Sequence, residues 1–238
     1  MVAVAMIPAR YSATRFPGKL MQPLGDKSVI ATTYLATRKT GLFDDVVVVT
    51  DSDIIRQEIE RYEGRVIMSH KEHESGTDRI AEAAVELNTD IIVNVQGDTP
   101  FVKVDPLRKL LSVFEDEAVQ VASLMQALYD DQFIADPNYV KVCVDKNFNA
   151  LFFSRSVIPY PRNKKITIPY YEHIGVYAFR KQALLNFTAW PISPLEDAEK
   201  IECLRYLENG VSLRMVVTDY MGVEIDTPED LERAAALL

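Results

Sequence analysis

Apolar and polar positions alternate along the first hundred residues in blocks rather than singly. Val2–Ile7 is an unbroken apolar run closed by Pro8, Val46–Thr50 is wholly β-branched, and Asp90–Val95 is a third run of the same kind. Runs without polar alternation suit strands buried on both faces of a parallel sheet. Helical patterns lie between them. Ser28–Thr40 follows a turn at Gly25-Asp26, Ser52–Tyr62 opens on Ser52 as N-cap, and Thr77–Leu87 sets Ile80, Ala84 and Leu87 along one face. This β-α-β-α series predicts an α/β fold with a doubly wound, mostly parallel sheet.

The second half changes character. Val119–Ala127, Tyr139–Val144, Ala150–Ser154 and His173–Phe179 read as strands, several joined too closely for helical crossovers, so antiparallel pairing is expected. Pro159, Pro161 and Pro169 bracket a polar stretch around Arg162 that reads as an exposed loop or arm. Leu195–Asn209 is predicted helical with Gly210 as its C-terminal cap. A last helix opens at Thr227, with Pro228 at its first position and Asp230 three residues after the cap. Without a Gly/Ser-rich linker or a repeat, residues 1–238 are expected to form one domain, with a mixed β/α excursion over 119–214.

The charge narrows the function. With 26 Lys+Arg against 35 Asp+Glu, the net charge of -9 argues against a nucleic-acid reader, and any anion site must be a local focus of cations. Two cysteines, Cys143 and Cys203, make no disulfide framework and read as reduced thiols. No apolar run reaches the length of a membrane span, and the N-terminal run lacks a basic flank, so the expectation is a cytoplasmic protein without a membrane partner.

Three segments carry candidate chemistry. The first, Ile7-Pro-Ala-Arg-Tyr-Ser-Ala-Thr-Arg-Phe-Pro-Gly-Lys19, follows the first strand, at the sheet edge where ligands bind in doubly wound folds. Arg10, Arg15 and Lys19 with a Pro-Gly turn suit a triphosphate-sized anion, although a solvated basic loop has the same composition. Neither a Walker A loop nor Gly-x-Gly-x-x-Gly is present. The second segment, Asn94–Pro100, and the third, Glu224-Ile225-Asp226, each place an acid near that edge. Asp98 and Asp226 are placed to share a Mg²⁺ with phosphate oxygens, or to serve as a turn residue and a helix cap. Ser75-Gly76-Thr77-Asp78-Arg79 opens a helix, either as a nucleotide-facing N-terminus or as a capping turn with Arg79 on the surface. Arg155 and Arg162 are natural carboxylate clamps. His173, amid apolar neighbours, reads as a core histidine, and His70 with His73 lacks the further ligands of a zinc site.

From end to end, in order, the chain resembles the sugar-acid cytidylyltransferases, the CMP-KDO synthetase family in particular. The resemblance rests on Ile7–Tyr11, Thr14–Lys19, Ser75–Arg79, Asn94–Asp98, Phe153–Arg155, His173–Tyr177, Ser193–Glu196, Leu204-Arg205 and Asp226–Leu231. It implies a Rossmann-like nucleotidyltransferase sheet whose later excursion serves dimerisation and substrate covering. It further implies that CTP and 3-deoxy-manno-octulosonate (KDO) give the CMP-sugar and pyrophosphate, as a lipopolysaccharide precursor, in a cytoplasmic homodimer. By the same resemblance Lys19, Arg10, Asp98 and Asp226 are catalytic, with Asp98 and Asp226 the Mg²⁺ ligands. Ala9, Arg10, Arg15, Lys19, Ser75, Gly76 and Arg79 would hold the nucleotide; Gln96, Arg155, Arg162, His173 and Glu202 would hold the sugar acid. Thr99, Cys203 and Glu224 depart from the family pattern, where Glu, Gln and Gly are usual, and the loop Arg162–Pro169 is short. An acceptor carrying an 8-amino group, another sugar acid, or a silent CTP- or CMP-sugar-binding regulator remain alternatives. For an amino sugar, Glu172 and Glu199 are the candidate extra carboxylates.

Overall fold

The computed structural model describes residues 1–12, 16–73, 75–219 and 224–238. Strand β1 (Ala3–Ala9) runs through Pro8 instead of ending at it. Its pairing to the neighbouring strand of the third apolar run stops at Met6↔Asn94, so Pro8 has a ladder partner on one side alone. A two-residue hairpin, β2 (Pro23–Leu24) and β3 (Lys27–Ser28), leads into α1 (Val29–Lys39), capped by Ser28 Oγ. Then come β4 (Asp45–Thr50), α2 (Asp53–Glu60), β5 (Arg65–Met68), α3 (Gly76–Ala84) and β6 (Ile91–Asn94). The second half holds α4 (Val104–Ser112), β7 (Val121–Leu128), α5 (Asp131–Ala135), β8 (Lys141–Val144), β9 (Ala150–Ser154) and β10 (Tyr170–Arg180). The remaining elements are α6 (Lys181–Ala189), α7 (Pro194–Glu199), α8 (Leu204–Glu208), β11 (Leu213–Val217) and α9 (Pro228–Ala235).

Among the described residues nine strands form one sheet, ordered β11-β7-β10-β6-β1-β4-β5, with the β8–β9 hairpin attached through β8 to β10. β1 pairs parallel with β4 and β6, and β5 parallel with β4, as the first-half pattern predicts. β10 enters antiparallel between β6 and β7, while β11 pairs parallel with β7. The second half is therefore a continuation of the same sheet. Side chains alternate between its two faces. From β1, Ala3, Ala5 and Ile7 join one core cluster with α1, α2 and α4, while Val4 and Met6 join the other with α3, α6 and α8.

Elements beyond those predicted appear, namely β2, β3, β5, α4, α5, α6 and β11, and one predicted element is divided. The helix expected over Leu195–Asn209 breaks at Lys200, which adopts a left-handed φ of 53°, giving α7 and α8. The break buries Ile201, Cys203 and Leu204 in one core while leaving Glu202 on a cavity wall. A straight helix would not send 201, 203 and 204 to one side and 202 to the other.

Candidate active site

The carboxyl ends of β1 and β6, neighbours at the centre of the sheet, face a cleft of about 250 Å³. Gly76 and Gln96 line both this cleft and a second cavity of about 430 Å³, so the two share a wall. This is the position at which doubly wound sheets bind ligands. Close backbone approach shapes it. A Cβ on Gly97 would stand 3.1 Å from Pro8 O, and one on Gly76 would stand 3.0 Å from Pro8 Cγ.

Lys19 is the centre of the first cleft. Gly18, at φ 67°, turns the chain into a short 3₁₀ turn over Lys19–Met21, and its N–H donates to Tyr11 O at 3.2 Å, closing the loop. Lys19 Nζ then lies 2.5 Å from Asp98 Oδ2 and 2.8 Å from Asp226 Oδ1. Burial alone would pull the ammonium's pKa down, but the charge of Asp98 and hydrogen bonds to both carboxylates outweigh it, and the pKa stands above its ordinary value. Lys19 is thus a fixed cation. Asp98 follows β6; Asp226 is held by the α9 capping box, in which the 226 and 227 N–H groups both donate to Asp230 Oδ2. Asp226 is therefore both beside the cap and in the site.

Of the remaining residues expected at the nucleotide, Ala9 and Arg10 line the cleft from the end of β1, and Ser75, Gly76 and Arg79 line it from the start of α3. Ser75 Oγ caps the helix by accepting from Asp78 N at 3.1 Å, so the capping and cleft-lining readings hold together. Arg79 is not a surface residue: it is 5% exposed, donates to Asp51 Oδ2 at 2.9 Å, and keeps Nη1 buried without a hydrogen-bond partner. A buried donor without a partner costs about 1–3 kcal/mol. A ligand in the cleft would relieve that cost. Arg15 lies outside the described residues.

Gln96, Arg155, His173 and Glu202 line the second cavity. Gln96 Nε2 donates to Gly175 O at 3.3 Å, at a bulge where β10 slips register against β7. Arg155 is braced by Glu199 O at 2.7 Å and Pro137 O at 2.9 Å. His173 Nε2 sits 2.9 Å from Ser123 Oγ, and burial pushes its pKa down to about 4, so the ring is neutral near pH 7. Arg162 is not brought to either cavity: it lies in the exposed loop before β10, its N–H on Tyr160 O. Glu172 and Glu199 are not on the cavity wall either. They accept from Gln126 and from Ser154 and Arg155, respectively. The carboxylates that do line this cavity are Glu202 and Glu224. Cys203 is buried in the core behind it, and Thr99 Oγ1 turns back to Gln96 O at 2.7 Å.

Sequence reasoning gave no cavity role to Thr77 or Lys200, which also line the second cavity. Thr77 sits in the predicted helix-start motif; nothing in the sequence marks Lys200, because its position depends on the helix break. His73 lines the first cleft but is paired to Glu82 Oε2 at 2.6 Å. Among the described residues the one cluster of metal-ligating side chains is Asp98, Glu224 and Asp226. Asp98 Oδ1 in that cluster is buried without a hydrogen-bond partner, an acceptor suited to a hard cation.

Glu202 yields a pH prediction. Thr77 Oγ1 donates to it at 2.8 Å, but burial dominates and pushes its pKa from 4.5 up to about 7. Between those values the folded chain holds a proton that the unfolded chain has lost, so stability falls as pH rises, and the cost is complete above about 7. Glu202→Gln is expected to leave Tm nearly unchanged at pH 5 and to raise it by about 2–6 °C at pH 8. Thermal unfolding at both values checks this, and an equal shift at both would refute the burial argument.

Known proteins bear on this geometry. A family model described as Cytidylyltransferase matches residues 4–215. A relative from Flavobacterium johnsoniae, named 3-deoxy-manno-octulosonate cytidylyltransferase, is 57% identical over 100% of this chain and 99% of its own. One of the same name from Bacteroides thetaiotaomicron is 41% identical over 99% and 97% of the two chains. Among solved structures, a CMP:2-keto-3-deoxy-manno-octonic acid synthetase complexed with CTP superposes with a TM-score of 0.95 at 37% identity, over 100% of this chain and 98% of that one. A 4-diphosphocytidyl-2C-methyl-D-erythritol synthase from Anaerococcus prevotii shares the fold, with a TM-score of 0.67 at 17% identity over 99% and 97% of the two chains. An α/β sheet with its cleft at the β1–β6 edge, a family match over most of its length and full-length relatives of one name agree: the chain belongs to the cytidylyltransferase family, on the branch of the 3-deoxy-manno-octulosonate cytidylyltransferases.

Proposed function

We propose that this chain transfers the cytidylyl group of CTP to 3-deoxy-manno-octulosonate, releasing pyrophosphate. The observation that carries this reading is Lys19, held between Asp98 and Asp226 in a cleft that shares the wall of Gly76 and Gln96 with a second cavity of different chemistry. In the first cleft, Arg10 and Lys19 answer the triphosphate charge, and Arg79 offers its unpartnered Nη1–H to the nucleotide. In the second, Arg155, Gln96 and His173 receive the sugar acid, and Glu202, its pKa raised to about 7 by burial, repels its carboxylate less than an ordinary glutamate would.

The acceptor's anomeric oxygen attacks the α-phosphorus, the bond from that phosphorus to the oxygen bridging it to the β-phosphate breaks to release pyrophosphate, and the hydroxyl proton passes to solvent water. Charge grows on the α-phosphate and on the leaving pyrophosphate, so fixed cations in the cleft lower the barrier chiefly by electrostatics. Asp98 and Asp226 would hold Mg²⁺, which when bound neutralises phosphate charge and acidifies a coordinated hydroxyl. Because Lys19 already spans both carboxylates, its ammonium also keeps them from repelling an incoming nucleotide. The same reading makes the protein a cytoplasmic homodimer supplying lipopolysaccharide synthesis.

Pyrophosphate release from CTP and Mg²⁺, with KDO and its 8-amino analogue in parallel, tests the function. Release with KDO at the higher kcat/KM is expected. CTP binding without release under either condition would overturn it in favour of a silent nucleotide-binding protein. Asp98→Asn should lower kcat by about 10²–10³-fold with the fold intact. Activity at the parent's Mg²⁺ dependence would remove Asp98 from the metal site.

A further inference from the structure

The two cavities are joined by a side-chain bond as well as by the wall they share. Thr77 Oγ1 donates to Glu202 Oε1 at 2.8 Å. Both residues line the second cavity, whereas Ser75, Gly76 and Arg79, the neighbours of Thr77 at the start of α3, line the first.

Each end of this bond is anchored elsewhere. On the α3 side, Gly76 packs so closely on Pro8 that a Cβ would stand 3.0 Å from its Cγ, and Arg79 is tied to Asp51. Thr77 is buried and its heavy atoms turn about χ1 alone, so its hydroxyl moves only as the start of α3 moves. On the other side, Glu202 stands in the turn between α7 and α8, flanked by Ile201 and Cys203 in the core, and its carbonyl accepts from Arg205 N at 3.1 Å. The Arg205 guanidinium is bonded in turn to Glu196 of α7. The helix itself does not require the Thr77 hydroxyl, since Ser75 Oγ already caps α3. A helical threonine commonly bonds a carbonyl of the preceding turn, as Thr33 and Thr37 do in α1; Thr77 bonds the α7–α8 turn instead.

We propose that Thr77 is a positioning residue that couples the two cavities: a nucleotide engaging Ser75, Gly76 and Arg79 fixes the start of α3, and the Thr77 hydroxyl then holds the Glu202 carboxyl in the orientation that receives the acceptor. The inference deepens the cytidylyltransferase reading and rests on it for the identity of the two ligands. Coupling is reciprocal, so an acceptor in the second cavity must tighten the nucleotide in the first by the same factor.

The test is calorimetric titration of the full chain, in Mg²⁺, with the α,β-methylene analogue of CTP, which cannot release pyrophosphate, with and without saturating KDO. In the parent, KDO is expected to tighten the analogue about fivefold or more. Thr77→Val exchanges the hydroxyl for a methyl group; it should keep the analogue's affinity without KDO and lose the tightening. Thr77→Ala, a second hydroxyl-free variant with better helix propensity, should do the same. Thr77→Ser keeps the hydroxyl and drops the methyl, and should retain the tightening. In steady state the hydroxyl-free variants should show a KM for KDO raised about tenfold, with kcat changed less. Tm is measured for each. A lowered Tm with the tightening intact in Thr77→Val would make the bond merely structural and overturn the inference. Absence of tightening in the parent would overturn it too, as would weaker analogue binding by Thr77→Val without KDO, which would assign the hydroxyl to the nucleotide cleft. Loss of tightening in Thr77→Ser would assign the effect to packing of the methyl, again overturning it. Pyrophosphate release from CTP and KDO by the parent is assayed in parallel. Hydroxyl-dependent tightening without release sustains the coupling and overturns the transfer reaction; release with hydroxyl-independent tightening does the reverse.

Discussion

Replacing Lys19 by methionine is expected to lower kcat for pyrophosphate release by about three orders of magnitude, the loss seen when a preorganised charge is removed from a water-poor site. Methionine keeps the length and apolar stem of lysine and removes only the ammonium. That ammonium stands 2.5 Å from Asp98 and 2.8 Å from Asp226, and its loss removes a positive charge from among Asp98, Asp226 and Glu224. Lys19→Arg keeps the charge but replaces a compact ammonium with a planar fork, and should recover only part of the rate. Steady-state release assays across CTP concentration check this, with circular dichroism as a fold control. Retention of more than a tenth of the parent kcat in Lys19→Met would exclude a central role for this ammonium.

The largest stability effect is expected at Arg205 and Glu196. Nε and Nη2 of Arg205 donate to the two oxygens of Glu196, each at 2.6 Å, and the side chains are 8% and 9% exposed. Nη1 donates to Phe187 O at 3.2 Å, and the guanidinium lies 4.0 Å from the centroid of the Phe187 ring. Burial would pull the guanidinium's pKa down, but its bonds to Glu196 overcome this and raise it, so the guanidinium stays charged. Removing one partner strands the other in a low-dielectric interior. Glu196→Ala is expected to cost about 3–5 kcal/mol in urea unfolding. The double variant Glu196→Met with Arg205→Met should be closer to the parent than either single change, because no lone charge remains. A single-variant cost below about 1 kcal/mol would mean that the pair contributes little to the fold.

This pair also explains why the sequence misleads locally. Residues 195–209 have helical composition, and Gly210 is a sound C-terminal cap. Arg205 nevertheless reaches back to Glu196 across the break at Lys200, clamping α7 and α8 to the end of α6. A tertiary ion pair outweighs local propensity there, since propensity differences amount to a few tenths of a kcal/mol per residue. The same dependence on distant contacts hides Lys200 and Glu224. Each becomes part of a cavity wall only when segments far apart in the chain meet.

The doubly wound α/β sheet was legible from the sequence because buried parallel strands need unbroken apolar runs, and Val2–Ile7, Val46–Thr50 and Asp90–Val95 supply them. Chain order alone then sets the loop after β1 and the residues after β6 at one edge, where Lys19 and Asp98 line one cleft. Caps at Ser28, Ser52 and Thr227 are equally local, since a hydroxyl meets an N–H three residues on. The tertiary structure decided the rest. It inserted β10 antiparallel beside β6, buried Arg79 against Asp51, left Arg162 in solvent, and brought Glu224 to the Asp98–Asp226 pair. Those outcomes rest on contacts between residues far apart in the chain, whose strength is set by burial and charge at the meeting point, and neither quantity exists until the sheet has closed over its two cores.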